Sequence, residues 1–159
     1  MSKELYIMCG PPGSGKTTYV REHASAGTSA HISRDKIRFS MVTKDEEYFS
    51  KEDEVYAEFI RQIIEALKAP WVDEVWVDAT HMTKKSRLKL LNEITLPLGA
   101  ANGIYIYVVQ LMPPLGTCLA RNAYRTGRER VPDSAIRRMY DSYEDPWSDG
   151  VKYEEVYEL

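Results

Sequence analysis

The sequence has little of what marks secreted, membrane-spanning or metal-clamped proteins. It holds two cysteines in 159 residues, Cys9 and Cys118. They lie far apart, in apolar stretches, without the paired spacing of a metal site, and so read as buried free thiols of a reducing cytoplasm. No apolar run approaches the roughly 20 residues that span a bilayer, which excludes a transmembrane helix. The opening, MSKELYIMCGPPG, sets acid and base beside a short strand-like run and does not read as a secretory leader. Repeats, low-complexity tracts and long linkers are absent, so one domain is expected over residues 1–159. At 43% hydrophobic and 28% charged, the composition is that of an ordinary globular chain able to bury a substantial core.

Net charge is −3, which argues against broad duplex binding. The distribution is uneven. Residues 141–159 hold seven acids and one lysine, leaving +3 on the rest, and six arginines fall between Arg121 and Arg138 against Glu129 and Asp133. A local cationic surface on a mildly acidic chain suits a phosphate-bearing ligand, with a solvated helix face as the plainer reading.

What is present alternates between strand and helix patterns. Strands are expected at Leu5–Cys9, Ala30–Ser33, Glu74–Asp78, Ile104–Leu111 and near Glu155–Leu159. The longest helix pattern, Lys51–Ala69, carries Val55, Tyr56, Phe59, Ile60, Ile63, Ile64 and Leu67 as one stripe. Ser50 with Asp53 resembles a capping box, and Pro70 marks a stop. Further helices are expected at Thr83–Leu96, at Pro114–Tyr124 and after Pro132. This order implies an α/β fold, a parallel five-stranded sheet flanked by helices, with ligands at the carboxyl ends of the strands.

Residues 10–17, GPPGSGKT, satisfy G-x-x-x-x-G-K-[ST] in full. The motif predicts a P-loop NTPase fold and binding of ATP with Mg²⁺. Gly10, Gly13, Ser14 and Gly15 let backbone N–H groups close on phosphate oxygens, and Thr18 opens the following helix beside them. Lys16 supplies a cation to the β- and γ-phosphates, and the Thr17 hydroxyl is placed to coordinate Mg²⁺. The strand EVWVD ends in Asp78, a second candidate for holding the Mg²⁺, directly or through water.

The loop names a donor and leaves the acceptor open. In Ser33-Arg34-Asp35-Lys36-Ile37-Arg38, Asp35 stands at the end of the second strand, where a carboxylate can take the proton of an attacking hydroxyl. Arg38, one helical turn on, can grip a phosphate on the acceptor, and Arg34 shares that end. The competing reading makes Asp35 a helix N-cap and Arg38 a solvent arginine. Arg121 and Arg125, spaced i, i+4 on one helix face, form with Gly127, Arg128 and Arg130 a candidate arginine-rich lid over the triphosphate, or else an ordinary surface pair. Lys84, Lys85, Arg87 and Lys89 can track a nucleic-acid backbone or be a solvated face. No base-stacking platform stands out in the sequence, and Tyr48-Phe49, in the acidic loop before the long helix, is the one aromatic pair to check for that role.

Four stretches, GPPGSGKTT, SRDKIR, VDATHMTKKSR and RNAYRTGRERVPDSAIRRMYDSYE, carry a resemblance to the P-loop kinase family that includes the kinase domain of phage-type 5′-hydroxyl polynucleotide kinase. They span nearly the whole chain. The resemblance implies an adenylate-kinase-like fold and transfer of the ATP γ-phosphate to a 5′-hydroxyl of DNA or RNA. Asp35 then matches the general base, Arg38 the acceptor-phosphate contact, Lys16 and Thr17 the P-loop donors and Arg125 the lid arginine, with Arg121 on a nearby lid position. Ser33 and His81 depart from the asparagines usual in relatives. The phage enzyme's phosphatase domain has no counterpart in these residues, so the expected chemistry is confined to the 5′ side. The alternatives are a P-loop kinase of a small hydroxylated metabolite, nucleoside or sugar nucleotide, as in zeta-toxin-like enzymes, and a nucleotide-dependent switch with no use for Asp35.

Overall fold

A computed structural model describes residues 2–98, 103–150 and 152–156. Along the chain come β1 (Lys3–Cys9), α1 (Lys16–His23), β2 (Ser29–Ser33), α2 (Arg34–Met41), α3 (Glu52–Lys68), β3 (Glu74–Asp78) and α4 (Lys84–Leu98). They are followed by β4 (Ile104–Leu111), α5 (Leu115–Ala123), α6 (Asp133–Ser142) and β5 (Lys152–Val156). Short 3₁₀ turns lie at Gly127–Glu129 and Pro146–Asp149. The strands stand in the order β2–β3–β1–β4–β5, and every neighbouring pair is parallel. Parallel pairing needs long crossovers, which the helices supply.

Strand alternation sorts the core into two layers. Leu5, Ile7, Cys9, Val75 and Val77 meet Val55, Phe59 and Ile63 of α3 and Leu90 and Ile94 of α4. On the other face Met8, Trp76, Val109 and Leu111 pack on Tyr19 and Val20 of α1. Leu5, Ile7, Met8 and Cys9 are 0% exposed, as a central strand covered on both faces must be. Tyr6 stacks between its register partners Trp76, at 4.0 Å, and Tyr107, at 5.1 Å. Both cysteines are buried and free, and burial pushes the Cys9 thiol up to about 11. Among the described residues no helix is long and apolar enough to cross a membrane.

Several expectations from sequence are corrected. The N-cap of α3 is Lys51, with no side-chain cap bond, instead of Ser50. Glu52, Asp53 and Glu54 in the first turn complement the helix dipole in its place. The last strand begins at Lys152, three residues before its expected start, and 157–159 lie outside the described residues. Arg87 does not belong to an exposed basic face, because its side chain is 0% exposed. It pairs with Asp149 and donates to the carbonyls of His81 (2.8 Å) and Glu144 (2.7 Å), pinning the segment after α6 to α4. A guanidinium buried this deeply needs every such partner.

Candidate active site

The strand order sets three carboxyl ends side by side: β2 running into α2, β3 ending in Asp78, and β1 running into the glycine-rich loop. In that loop Gly13 has φ 83°, and a Cβ there would stand 2.8 Å from the Cys118 carbonyl oxygen. Gly15, the N-cap of α1, has φ 97°. Both positions demand glycine. The first turn of α1 holds no acidic residue, so its positive end is left for an anion.

Lys16 Nζ donates to the Pro11 carbonyl (2.9 Å) and lies 3.5 Å from Ser14 Oγ. Burial pushes its ammonium below the ordinary lysine range, against the pull of Asp78 and Asp35. Among the described residues it has no ion-pair partner within bonding distance, which leaves a buried cation able to take an anion. Thr17 Oγ1 donates to Asp78 Oδ2 (2.8 Å), which His31 Nε2 also meets at 2.9 Å. Burial pushes the Asp78 carboxyl up. The bond to His31, the charge of Lys16 and the Thr17 hydroxyl outweigh that and hold it below the usual range. One ionised carboxylate beside a hydroxyl fits Mg²⁺, which keeps waters and takes phosphate oxygens. Among the described residues no cluster of three or more His, Cys, Asp or Glu could hold a metal unaided. The donor set thus suits an ion that arrives with its nucleotide.

Across the cleft, the α2 cap is Ser33, whose Oγ accepts from Lys36 N at 3.3 Å. The N-cap reading of Asp35 is therefore wrong, and its carboxylate is free for other bonds. Asp35 Oδ1 accepts from Arg38 Nη1 (2.6 Å) and from the Tyr48 hydroxyl (3.1 Å), leaving Oδ2 without a partner among the described residues. Arg38 is no solvent arginine, since its side chain is only 7% exposed. Its Nε and Nη2 close on the two oxygens of Glu52, at 2.5 and 3.0 Å, and Nη1 also reaches Tyr48 (2.9 Å). Arg34 Nη2 shares Glu52 at 3.0 Å. Burial pushes the Glu52 carboxyl up, but the two guanidiniums hold it below its ordinary range.

The arginine segment departs from a single helix face. Helix α5 stops at Ala123, so Arg125 lies beyond it, its N–H bonded to Asn122 O at 3.0 Å. The wholly buried Asn122 ties the ensuing loop shut: its amide donates to Val131 O (2.6 Å) and its Oδ1 accepts from Val131 N (3.0 Å). Arg121 donates to Gly13 O at 3.2 Å. Arg125 carries no side-chain hydrogen bond or ion pair to the described residues, and it lines the cleft close enough to Lys16 to push that amine down. Arg128 donates to the carbonyls of Phe39 and Val42 at the end of α2 and covers the Phe39 ring at 4.7 Å.

A cleft of about 320 Å³ joins the two sides, lined by Lys16, Thr17 and Asp78 and by Asp35, Arg38 and Arg125. Gly13, Gly15, Thr18 and Arg34 also line it, whereas Gly10, Ser14 and Arg121 do not. Sequence reading missed Glu52, His31 and Asn122. Glu52 looks like one of three acids opening a helix, and only the fold sets it against Arg34 and Arg38. His31 in a strand gives no local sign of Asp78. Asn122 sits among arginines, and nothing in its spacing points to Val131.

A family model described as an AAA domain, AAA_33, matches residues 5–146. The chain belongs to this AAA domain family. No curated protein sequence matches it. Among solved structures, this AAA domain resembles a chain of the Pnkp1/Rnl/Hen1 RNA repair complex, at 21% identity and a TM-score of 0.71 over 89% of its length. It covers 44% of that chain, under half of the larger protein. A fungal RNA kinase is similar over 98% of this domain and 74% of its own chain, at 12% identity and a TM-score of 0.69. A gluconokinase from Sinorhizobium meliloti 1021 is similar over 98% and 81%, at 20% identity and a TM-score of 0.60. At such identities the likeness establishes the fold, that of P-loop kinases, with a parallel sheet flanked by helices.

Proposed function

We propose that this chain is an ATP-dependent kinase that transfers the γ-phosphoryl group to the 5′-hydroxyl of a DNA or RNA end. The observation that carries the reading is a carboxylate with a free oxygen, Asp35 Oδ2, lining the same cleft as the P-loop lysine and threonine. A nucleotide switch has no use for such a group. In the reaction the acceptor hydroxyl passes its proton to Asp35 and its oxygen bonds the γ-phosphorus. The bond from that phosphorus to the β–γ bridging oxygen breaks, and ADP leaves.

The protein's own contribution is placement and charge. Arg38 and Tyr48 hold the Asp35 carboxyl through Oδ1, which keeps Oδ2 turned to the acceptor. Lys16, with the positive end of α1, takes the donor phosphates, and Arg125 closes on them as the cation of an arginine lid whose base Asn122 pins. Thr17 and Asp78 would hold Mg²⁺, which neutralises phosphate charge when bound. Arg34 and Arg38 face an acceptor phosphate, which shares or displaces Glu52.

Incubation with labelled ATP, Mg²⁺ and 5′-hydroxyl oligonucleotides tests the reading. Label at the 5′ end is expected, and no transfer to DNA or RNA of several lengths overturns it. A second reading, a kinase of a small hydroxylated metabolite, draws on a separate observation. Four of the five Arg38 N–H groups are already spent on Glu52, Asp35 and Tyr48, and the fold is also that of a gluconokinase and a sugar kinase. Transfer to sugars or nucleosides, with oligonucleotides inert, would favour it.

A further inference from the structure

Of the large apolar side chains exposed among the described residues, Phe49 alone lines the cleft; Trp71, Leu88, Tyr105, Tyr124 and Trp147 do not. Phe49 is 51% exposed and belongs to neither core cluster. Its ring is held in place all the same. Tyr48 meets it edge-on with centroids 4.6 Å apart, and the Arg38 guanidinium stands 5.4 Å from its centre. Tyr48 is in turn braced by the Phe39 ring at 6.2 Å and, through its hydroxyl, by Asp35 and Arg38. Burial and the Asp35 charge push the Tyr48 phenol up to about 12, so it stays a neutral donor. The result is an ordered aromatic surface about half of which faces solvent, one residue along the chain from the phenol that bonds the candidate base.

Resting on the polynucleotide reading above, we propose that Phe49 is the shelf on which the terminal base of the acceptor stacks, with Tyr48 as its brace. The hydroxyl that gives its proton to Asp35 and the base of that nucleotide sit on one sugar. A surface for the base must therefore share the cleft with the carboxylate, and Phe49 does, packed on the Tyr48 ring whose hydroxyl lies 3.1 Å from Asp35 Oδ1. Every base offers a π face, so a stacking shelf accepts all four and rejects sugars that lack one. The shelf thus selects nucleotide ends over small polyols, while Asp35 and the P-loop perform the same transfer for either.

The test uses two 5′-hydroxyl oligonucleotides that are identical except that one lacks the terminal base and keeps the ribose. Their Kd is measured by fluorescence anisotropy and their phosphorylation with labelled ATP. The full chain is compared with Phe49→Ala and Phe49→Trp. Wild type should bind the base-bearing end about tenfold more tightly, the size of one stacked base. Phe49→Ala should erase that preference by weakening only the base-bearing ligand, and Phe49→Trp should restore it. Equal affinity of wild type for the two oligonucleotides, or equal weakening of both by Phe49→Ala, overturns the shelf and leaves the kinase reading standing. Failure of both to be phosphorylated, with a base-free sugar turned over instead, overturns the polynucleotide reading and the shelf with it.

Discussion

The donor wall of the cleft comes from one contiguous stretch between Pro12 and Thr18, whereas the acceptor wall gathers Arg34, Asp35, Arg38, Tyr48, Phe49 and Glu52 from α2, α3 and the segment between them. The donor wall is made of backbone, with glycines fixing the loop and one buried lysine supplying charge. The acceptor wall is made of side chains that hold one another, two guanidiniums closing on Glu52 and one reaching on to Asp35 and Tyr48. Phosphate geometry is the same in every nucleoside triphosphate, so a backbone cradle serves it. An acceptor differs from one kinase to the next, and side chains can change with it.

The contrast can be broken from either side. Apart from loss of the base itself, the largest effect is expected at the donor wall: Lys16→Ala removes the buried cation, and initial rates with labelled ATP should fall on the order of 10²–10³-fold. ATP binding by calorimetry should weaken in parallel, whatever the acceptor.

The buried turn after β3 carries the next effect. Burial pushes the His81 imidazole down to about 4, despite its bond to the Met8 carbonyl at 2.8 Å, so it is neutral in the folded chain. Below its ordinary 6.5 the unfolded chain takes up a proton that the folded chain refuses until about pH 4. Stability should therefore fall as pH drops through that window, by about 3 kcal/mol in all. Urea denaturation across it checks the slope. His81 has φ 44°, which asparagine tolerates, so His81→Asn should keep the turn and lose this share of the slope. An unchanged slope in the variant contradicts the assignment.

At the acceptor wall, Glu52→Gln removes the ion-pair partner of Arg34 and leaves Arg38 with Asp35 alone, at a cost on the order of 1–3 kcal/mol in unfolding free energy. The acceptor KM should change more than the ATP KM, since Glu52 touches none of the loop residues. The smallest effect belongs to the contact between the arginine segment after α5 and α2. Arg128→Ala removes the bonds to Phe39 and Val42, and should cost about 1 kcal/mol of stability with a several-fold loss in kcat/KM.

How much of this the residues disclosed follows the same contrast. The P-loop is contiguous, so its strand, glycines, lysine and threonine could be read directly, as could the Asp78 strand. The α3 stripe was legible because Val55, Phe59 and Ile63 repeat at helical spacing and face the sheet. Asp35 and Arg38 were legible as a pair because a helical turn joins them. Their fixing partner was not, because Glu52 lies 14 residues from Arg38 and makes sense only once α3 folds back. Arg87 misled because a basic residue among lysines looks solvated until Asp149, 62 residues on, is brought to it. Arg125 left the helix because Asn122 spends its side chain on Val131, a bond across nine residues that spacing does not reveal.

The central claim is that Asp35 accepts the hydroxyl proton in a phosphoryl transfer. Asp35→Asn keeps the shape and removes the base, so the direct measurement is ATP affinity alongside label transfer to a 5′-hydroxyl oligonucleotide. The account predicts wild-type ATP affinity with transfer reduced on the order of 10²–10⁴-fold. Transfer by the variant at the wild-type rate would contradict it.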